Sequence, residues 1–450
     1  MLAGPLPALW RMALRHEYSM RICLFFDNLF AWHGGSEAAG LIHESLLLSR
    51  EPTDEIVVMS KRGRDSIFWR AGRAMKHFAR RQVSCGDGEG TKTRHVARDV
   101  MIRSFLGPSA QIVWLPRRTR DLARWVRRHG DVAGPFWTDG MEWAEHLPWV
   151  GTLPDCQHKH LPQFFSAEEL ARRDGLYRYL LDRAPVVLVW SHDARNDVLR
   201  LFGQRRAEVI ALPFAAAPRR EWFAGDPEAT RLKYQLPKDY FICSNQFWAH
   251  KNHGIILAAL RLARLEGEPC FVAFTGTPHD DRNPRYFGRL MQKAQDTGVA
   301  NDFKVLGLLP KLDQISLMRA ARAVVQPSLF EGGPGGLSSS DAISVGQRLI
   351  VSDIPINREI ERYVDHYFNP TDARALLEIM RAVGKTSKIK LSPDELIRLG
   401  TERRMECGRV LRAAFSRAIE RVHYFAENRP ANSTWGGEEK NGRRGFERRV

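Results

Sequence analysis

Long apolar runs are missing from this 450-residue chain. No segment holds the roughly 18–20 uncharged apolar residues needed to span a bilayer, so transmembrane helices are not expected. The start, Met1 to Tyr18, is broken by Arg11, Arg15, His16 and Glu17. It lacks the apolar core and small-residue cleavage site of a secretory signal, which makes the cytoplasm the expected compartment. Cysteine is scarce. The six (Cys23, Cys85, Cys156, Cys243, Cys270 and Cys407) include no C-x-x-C pair, and Cys23, Cys243 and Cys270 sit in apolar strand-like runs. They read as reduced core thiols. Acidic residues are also short, 52 against 68 Lys and Arg, for a net charge of +16. The basic excess collects in 61–81, 117–128 and 443–449. Such a balance suits an anionic partner. No helix-turn-helix, zinc-finger or RNA-binding signature accompanies it, so nucleic acid is not expected. An anionic membrane surface bearing a lipid-linked substrate fits the charge better, as do merely solvated basic faces.

What is present is an alternation of strands and helices. At 450 residues two domains are expected, and 44% hydrophobic with 27% charged residues is ordinary for a globular chain. The first half reads as strand 22–26, helix 36–48, strand 56–59, strand 111–114, basic helix 119–129, strands 136–138 and 149–153, strand 186–190, helix 191–202 and strand 209–211. The stretch 61–100 shows no clear period. Residues 213–237, with four prolines, read as a linker. A second alternation follows: strand 240–243, helix 253–265, strand 271–274, helix 285–296, strand 303–306, helix 313–320, strand 323–325 and strand 349–351. Helices are expected at 358–364, 372–383, 392–399 and 403–428. The expected divisions are an extension at 1–19, a first domain at 20–212, the linker at 213–237, a second domain at 238–390, returning helices at 391–428, and a disordered tail at 429–450. The pattern predicts an α/β fold of two Rossmann-like, doubly wound domains facing across a cleft.

Doubly wound sheets hold ligands at the carboxyl ends of their strands, so the loops after strands are where chemistry is sought. One such loop carries Gly34 and Gly35 at the opening of a helix, where a pyrophosphate oxygen can be received; a tight turn explains them as well. A second, Ser244 to His253, carries Lys251 just before a helix. A cation there can face a leaving diphosphate as its charge develops. The third runs Gln326-Pro327-Ser328-Leu329-Phe330-Glu331, then Gly332, Gly333, Pro334, Gly335 and Gly336, then Ser338 to Ser340 and Asp341. Its glycines allow close approach of backbone to ligand, its serines can cap the following helix, Glu331 can accept from sugar hydroxyls, and Asp341 can accept from a ribose. A fourth, Asp155 to Phe165, holds His158 and His160. Without a third ligand the His-x-His spacing does not make a metal site. His158 reads as a cleft residue that donates a hydrogen bond or moves a proton. His192 and Asp193 open a helix that Asp193 can cap.

These residues carry a resemblance. The segment Gln326–Gly332, with Ser352-Asp353-Ile354-Pro355 and Arg358-Glu359, is similar to retaining glycosyltransferases of the GT-B fold, family 4, also called glycosyltransferase group 1. Phe247-Trp248 with His250-Lys251-Asn252-His253, and Asp155 with Gln157-His158, Pro162 and Phe164-Phe165, resemble one branch of it. The likeness covers most of residues 20–385. It implies a hexosyl-type transfer from a nucleotide-sugar donor to a saccharide or lipid-linked acceptor, with retention, no cofactor and no catalytic metal. It further implies synthesis of a cell-surface polysaccharide or glycoconjugate, peripheral work at the inner membrane face, and a C-terminal helix that crosses back to the first domain. It places Glu331 near the sugar, the second acid near the ribose, His158 near sugar and acceptor, and a cation pair with the glycine-loop amides on the diphosphate.

Two departures stand out. The position eight after Glu331, where the family has glutamate, is Ser339; Asp341 takes the role only in a longer loop. The family's arginine five before Lys251 is Gln246. These keep open a degenerate subunit that binds nucleotide sugar without turnover; an epimerase of the same fold is a separate alternative, which would need acids and bases on both sides of the sugar.

Overall fold

The computed structural model describes residues 19–27, 29, 33–61, 102–115, 122–141, 144, 147–384 and 391–427. Residues 1–18 of the expected extension at 1–19, residues 62–100 of the unplaced stretch 61–100, the start of the basic helix at 119–121 and the expected disordered tail at 429–450 lie outside these.

In chain order the first domain contains β1 (Arg21–Phe25), α1 (His33–Ser49), β2 (Glu55–Lys61), β3 (Ile112–Leu115), α2 (Leu122–His129), β4 (Val132–Phe136), β5 (Trp149–Thr152), α3 (Gln157–His160), α4 (Ala167–Arg183), β6 (Val186–Val189), α5 (His192–Phe202) and β7 (Glu208–Ala211). Then come α6 (Pro227–Lys233), β8 (Phe241–Ser244), α7 (His253–Leu265), β9 (Val272–Thr275), α8 (Tyr286–Asp296), β10 (Phe303–Val305), α9 (Lys311–Ala320), β11 (Val324–Gln326), α10 (Gly336–Ser344), β12 (Leu349–Ser352), β13 (His366–Phe368), α11 (Ala373–Gly384) and α12 (Pro393–Glu427).

The strands form two parallel sheets, ordered β3-β2-β1-β4-β5-β6-β7 and β10-β9-β8-β11-β12-β13. Strands such as Val186–Val189 and Leu349–Ser352 are buried at every position because helices cover both faces, which is why they read as unbroken apolar runs. This is the two-domain GT-B architecture. Chain order reverses beside β1 and β4 in one sheet, and beside β8 and β11 in the other. The splayed loops at such reversals open a crevice at the strands' carboxyl ends.

Helix α12 returns to the first domain. Cys407, Leu411, Ala414, Phe415 and Ala418 lie on one helical face and enter the core formed by Ile22, Leu24, Ile42 and Leu46. Gly408 permits the approach: a Cβ there would lie 2.0 Å from the Ser45 carbonyl oxygen. Arg412 Nε donates to the buried Asp54 at 2.7 Å.

Several expectations are corrected. The two closing helices are one continuous α12, because no glycine or proline between 399 and 403 other than Gly400 interrupts it, and Gly400 is tolerated where α12 packs against Ala217 and Pro218. Helix α4 was not anticipated, although Ser166 caps it by accepting from Glu169 N. β13 was also missed. The expected strand 136–138 is β4, shifted to end at Phe136. The stretch read as a linker carries α6 and buries Trp222 and Leu236 in the second-domain core with Tyr240 and Ile242.

Candidate active site

The loops after β8 and β11 leave adjacent strands at the second-domain reversal, and hydrogen bonds stitch them together. Asn252, in the left-handed region at φ 54°, ends a short turn over Ala249–Lys251 and donates to the Pro327 carbonyl at 3.1 Å. Leu329 N donates to the His250 carbonyl at 2.8 Å. Side chains 80 residues apart thereby meet: Lys251 Nζ lies 2.5 Å from Glu331 Oε1, with only 12% and 7% of the two side chains exposed. Gln326 Nε2, at the end of β11, donates to the same Glu331 oxygen at 3.0 Å and to the Gly335 carbonyl at 2.9 Å. Asn245 donates to the Gln326 amide oxygen, and this fixes the orientation of the Gln326 side chain. Gly276, at φ 122°, lets the neighbouring loop press onto Asn245, where a Cβ would stand 2.1 Å from the Asn245 carbonyl oxygen.

The glycine loop is shaped from beneath. Gly335 and Gly336 both adopt positive φ, 62° and 64°, and turn the chain directly into α10. Ser338, Ser339 and Ser340 therefore lie inside the helix and do not cap it; Gly335 holds the cap position with no side-chain bond. Asn357, wholly buried, accepts from Gly335 N at 2.8 Å and donates to the Ser352 carbonyl at 2.8 Å. Gly336 N donates to the Gly333 carbonyl at 3.0 Å. Two of the expected anion-binding amides are thus engaged, one by Asn357 and one within the loop. Those of Gly332 and Gly333 meet no hydrogen-bond partner among the described residues.

Asp341 sits on α10, and Lys311 holds both of its oxygens, at 2.8 and 2.7 Å. Gln314 reaches Asp341 at 3.3 Å and Ser244 at 2.8 Å. Burial works against the Lys311 ammonium, but Asp341 and, across the cleft, Glu37 on α1 raise its pKa on balance. Lys311 was missed by sequence reasoning; a lysine opening a helix after a proline carries no local signal. Gly34 and Gly35 prove to be in the first turn of α1, which begins at His33 rather than Ser36. Gln246 lies in the same loop as Lys251, with its carbonyl accepting from Trp248 N at 2.8 Å.

The first domain closes on this cluster. Gly332 is pressed against the loop after β5, where a Cβ would lie 2.6 Å from the Pro154 carbonyl oxygen, and Gly333 faces Trp190. The His160 ring stands 5.1 Å from that of Phe330. Glu359 accepts from His192 N at 3.1 Å and Asp193 N at 2.7 Å, at the start of α5. The α5 cap is Ser191, which accepts from Ala194 N, and not Asp193.

His158 does not join these contacts. Its side chain has no exposed surface; Nε2 lies 3.0 Å from Asp174, and Nδ1 has no hydrogen-bond partner among the described residues. Burial lowers its pKa against the opposing pull of Asp174. It packs edge-on to Tyr177 at 5.0 Å. His160 instead turns to Asp197 at 2.5 Å. The two histidines thus serve different carboxylates. Among the described residues no group of three or more His, Cys, Asp or Glu converges as a metal cage.

A cleft between two parallel-sheet domains, with a lysine, a carboxylate and a glycine loop at the second-domain reversal, defines the GT-B class. Residues 228–389 match the family model of glycosyl transferases group 1. No curated protein matches the chain. Among solved structures, Anabaena Alr3699/HepE in complex with UDP and glucose is similar at TM-score 0.54 and 16% identity, over 91% of this chain and 98% of that one. Sucrose-phosphate synthase from Thermosynechococcus elongatus is similar at 0.54 and 14%, over 91% and 98%. A glycosyltransferase from Rickettsia africae ESF-5 is similar at 0.52 and 14%, over 91% and 99%. No helix among the described residues is long and apolar enough to cross a membrane.

Proposed function

We propose that the chain is a retaining family 4 glycosyltransferase, moving a hexosyl group from a nucleotide-sugar donor to a saccharide or lipid-linked acceptor without a catalytic metal. The observation that carries the reading is the Lys251–Glu331 contact at the mouth of the second domain, braced by Gln326 and facing the first domain. In the resting protein each neutralises the other. A donor diphosphate takes over Lys251, with the Gly332 and Gly333 amides, and releases Glu331 to accept from sugar hydroxyls. The acceptor hydroxyl attacks the anomeric carbon on the leaving-group side; the C–O bond to phosphate breaks, and the departing phosphate oxygen takes the hydroxyl proton. A cation already in place at the leaving oxygen stabilises charge where it develops. Asp341, preset by Lys311, accepts from the ribose. His158, enclosed with Asp174, acts by shaping the wall beneath the stretch from Asp155 to Phe165. The +16 charge suits work on a lipid-linked acceptor at the cytoplasmic face of a membrane, in cell-surface glycoconjugate synthesis.

Nucleotide release from a panel of UDP-, GDP- and dTDP-sugars, with and without lipid-linked acceptor, tests this. Transfer of the donor's sugar supports the reading. Nucleotide-sugar binding with no release supports a degenerate binding subunit, which the replacement of a cation by Gln246 favours. Epimerised donor supports an epimerase of the same fold.

A further inference from the structure

A groove of about 480 Å³ crosses the domain boundary beside the Lys251 loop. From the first domain it is walled by Gln163, Phe164 and Glu169, and from the second by Asp280, Arg282 and Asn283, with Ala249, two residues before Lys251, at its edge. Its size falls in the range of small-molecule sites.

One wall is a ladder of alternating cations and rings that joins the domains. The Arg173 guanidinium lies 4.8 Å from the Phe165 ring centroid, Arg282 lies 5.1 Å from the same ring, and Arg282 also lies 5.2 Å from the Trp248 ring. Arg282 Nη1 donates to Gln157 Oε1 across the boundary at 3.1 Å. Each contact is a cation–π attraction, which strengthens as the pair is withdrawn from water. The Arg282 guanidinium is thus held between the two rings and bonded to Gln157. Phe165 is consumed by the ladder, whereas Phe164 presents a half-buried ring to the groove.

The charges of the groove are matched internally. Glu169 is held by Arg172 and Arg173, each at 2.8 Å, and hydrogen bonding to Arg172 first, then Arg173, keeps its carboxyl ionised, down at about 2. Asp280 faces Arg282 at 3.4 Å. What remains is an aromatic face ringed by amide and carboxylate groups that accept and donate in their own planes. A phosphate would find these arginines already committed to Glu169 and Asp280; a pyranose ring would lay its C–H face on Phe164 and its hydroxyls toward Gln163, Glu169, Asp280 and Asn283.

We propose that this groove is the acceptor subsite and that it takes an uncharged pyranoside. The inference rests on the glycosyltransferase reading and adds the place and the chemical class of the acceptor's sugar.

The test uses the full chain with the methyl glycosides of glucose, galactose, mannose, N-acetylglucosamine and glucuronic acid, read by saturation-transfer NMR. At least one neutral glycoside is expected to receive saturation at its ring protons. Phe164→Ala and Asn283→Ala are each expected to weaken it at least tenfold, while binding of the nucleotide chosen by the donor panel reports that the fold is intact. Lys251→Ala has the opposite pattern, with weaker nucleotide and unchanged glycoside. Saturation of no glycoside, equal binding in Phe164→Ala, or tighter binding of the glucuronide than of every neutral sugar overturns the proposal. If nucleotide binds and is turned over but the groove variants leave glycoside binding unchanged, the groove assignment fails alone. If no nucleotide binds wild type while glycosides bind through Phe164, the donor reading fails alone.

Discussion

Replacing Lys251 probes both the resting site and the reaction. The ammonium and the Glu331 carboxylate are 2.5 Å apart and largely shielded from water. Lys251→Ala leaves the carboxylate with Gln326 as its remaining side-chain donor among the described residues. Breaking a buried pair by removing one partner costs about 3–5 kcal/mol; the residual exposure places this one at about 3 kcal/mol. At about 2–4 °C per kcal/mol for a domain of this size, the melting temperature falls by roughly 6–12 °C. In catalysis, loss of a group aimed at developing charge costs about 10²–10³ in kcat. The two effects separate in Lys251→Met/Glu331→Gln, which removes both charges at similar volume. Its stability returns toward wild type, because no unpaired charge remains, but its turnover stays low. Calorimetry and nucleotide release on both variants make the comparison. Turnover of Lys251→Ala within threefold of wild type, a loss under about 0.7 kcal/mol, would refute the diphosphate role. Recovery of turnover in the double variant would show that Lys251 acts only by neutralising Glu331.

Three further outcomes are expected. Gly332→Ala puts a Cβ 2.6 Å from the Pro154 carbonyl oxygen across the cleft, so transfer should drop at least tenfold with little change in melting temperature; unchanged transfer would mean that this closed arrangement is not the working one. Gly408→Ala, which in an exposed helix would gain about 1 kcal/mol, should instead destabilise by about 1–3 kcal/mol because Ser45 blocks the methyl, and a raised melting temperature would contradict the docking of α12 on α1. His253 stacks on Phe247 at 4.3 Å and burial lowers its pKa to about 3, so the unfolded chain binds the extra proton between about pH 6.5 and 3 and stability falls on acidification. From pH 7.5 to 5 that amounts to about 2 kcal/mol. His253→Phe should remove this share of the loss, measured by denaturant melts at the two pH values, and an unchanged pH slope would show that His253 does not carry it.

How far the sequence reaches depends on how far apart the interacting residues are. Strands such as β6, β8 and β12 are legible because both faces are buried and their apolar runs are continuous. Their order is not, since an apolar run says nothing about its neighbour. Helix α4 escaped notice because its polar first turns, from Ala167 to Asp174, mask the apolar face made by Leu176, Tyr177, Leu180 and Leu181 near its end. The linker reading over 213–237 failed for a related reason: prolines signal turns, but not whether Trp222 and Leu236 between them find a core.

The candidate site divides along the same line. The sequence by itself determined the α/β alternation, the placing of Lys251, Glu331 and the glycines in loops that follow strands, and the unusual spacing that leaves Asp341 in place of a nearer acid. These are local properties of composition and period. Only the tertiary structure decided that Lys251 and Glu331 pair, that Lys311 presets Asp341, that His158 is enclosed with Asp174, and that the amides of Gly335 and Gly336 are taken by Asn357 and the Gly333 carbonyl. It also brought Arg282 between Phe165 and Trp248 from separate parts of the chain. The physical reason is that partners are chosen by distance in space. In parallel sheets that distance is set by strand order and domain closure, neither of which leaves a mark on the residues nearby in sequence.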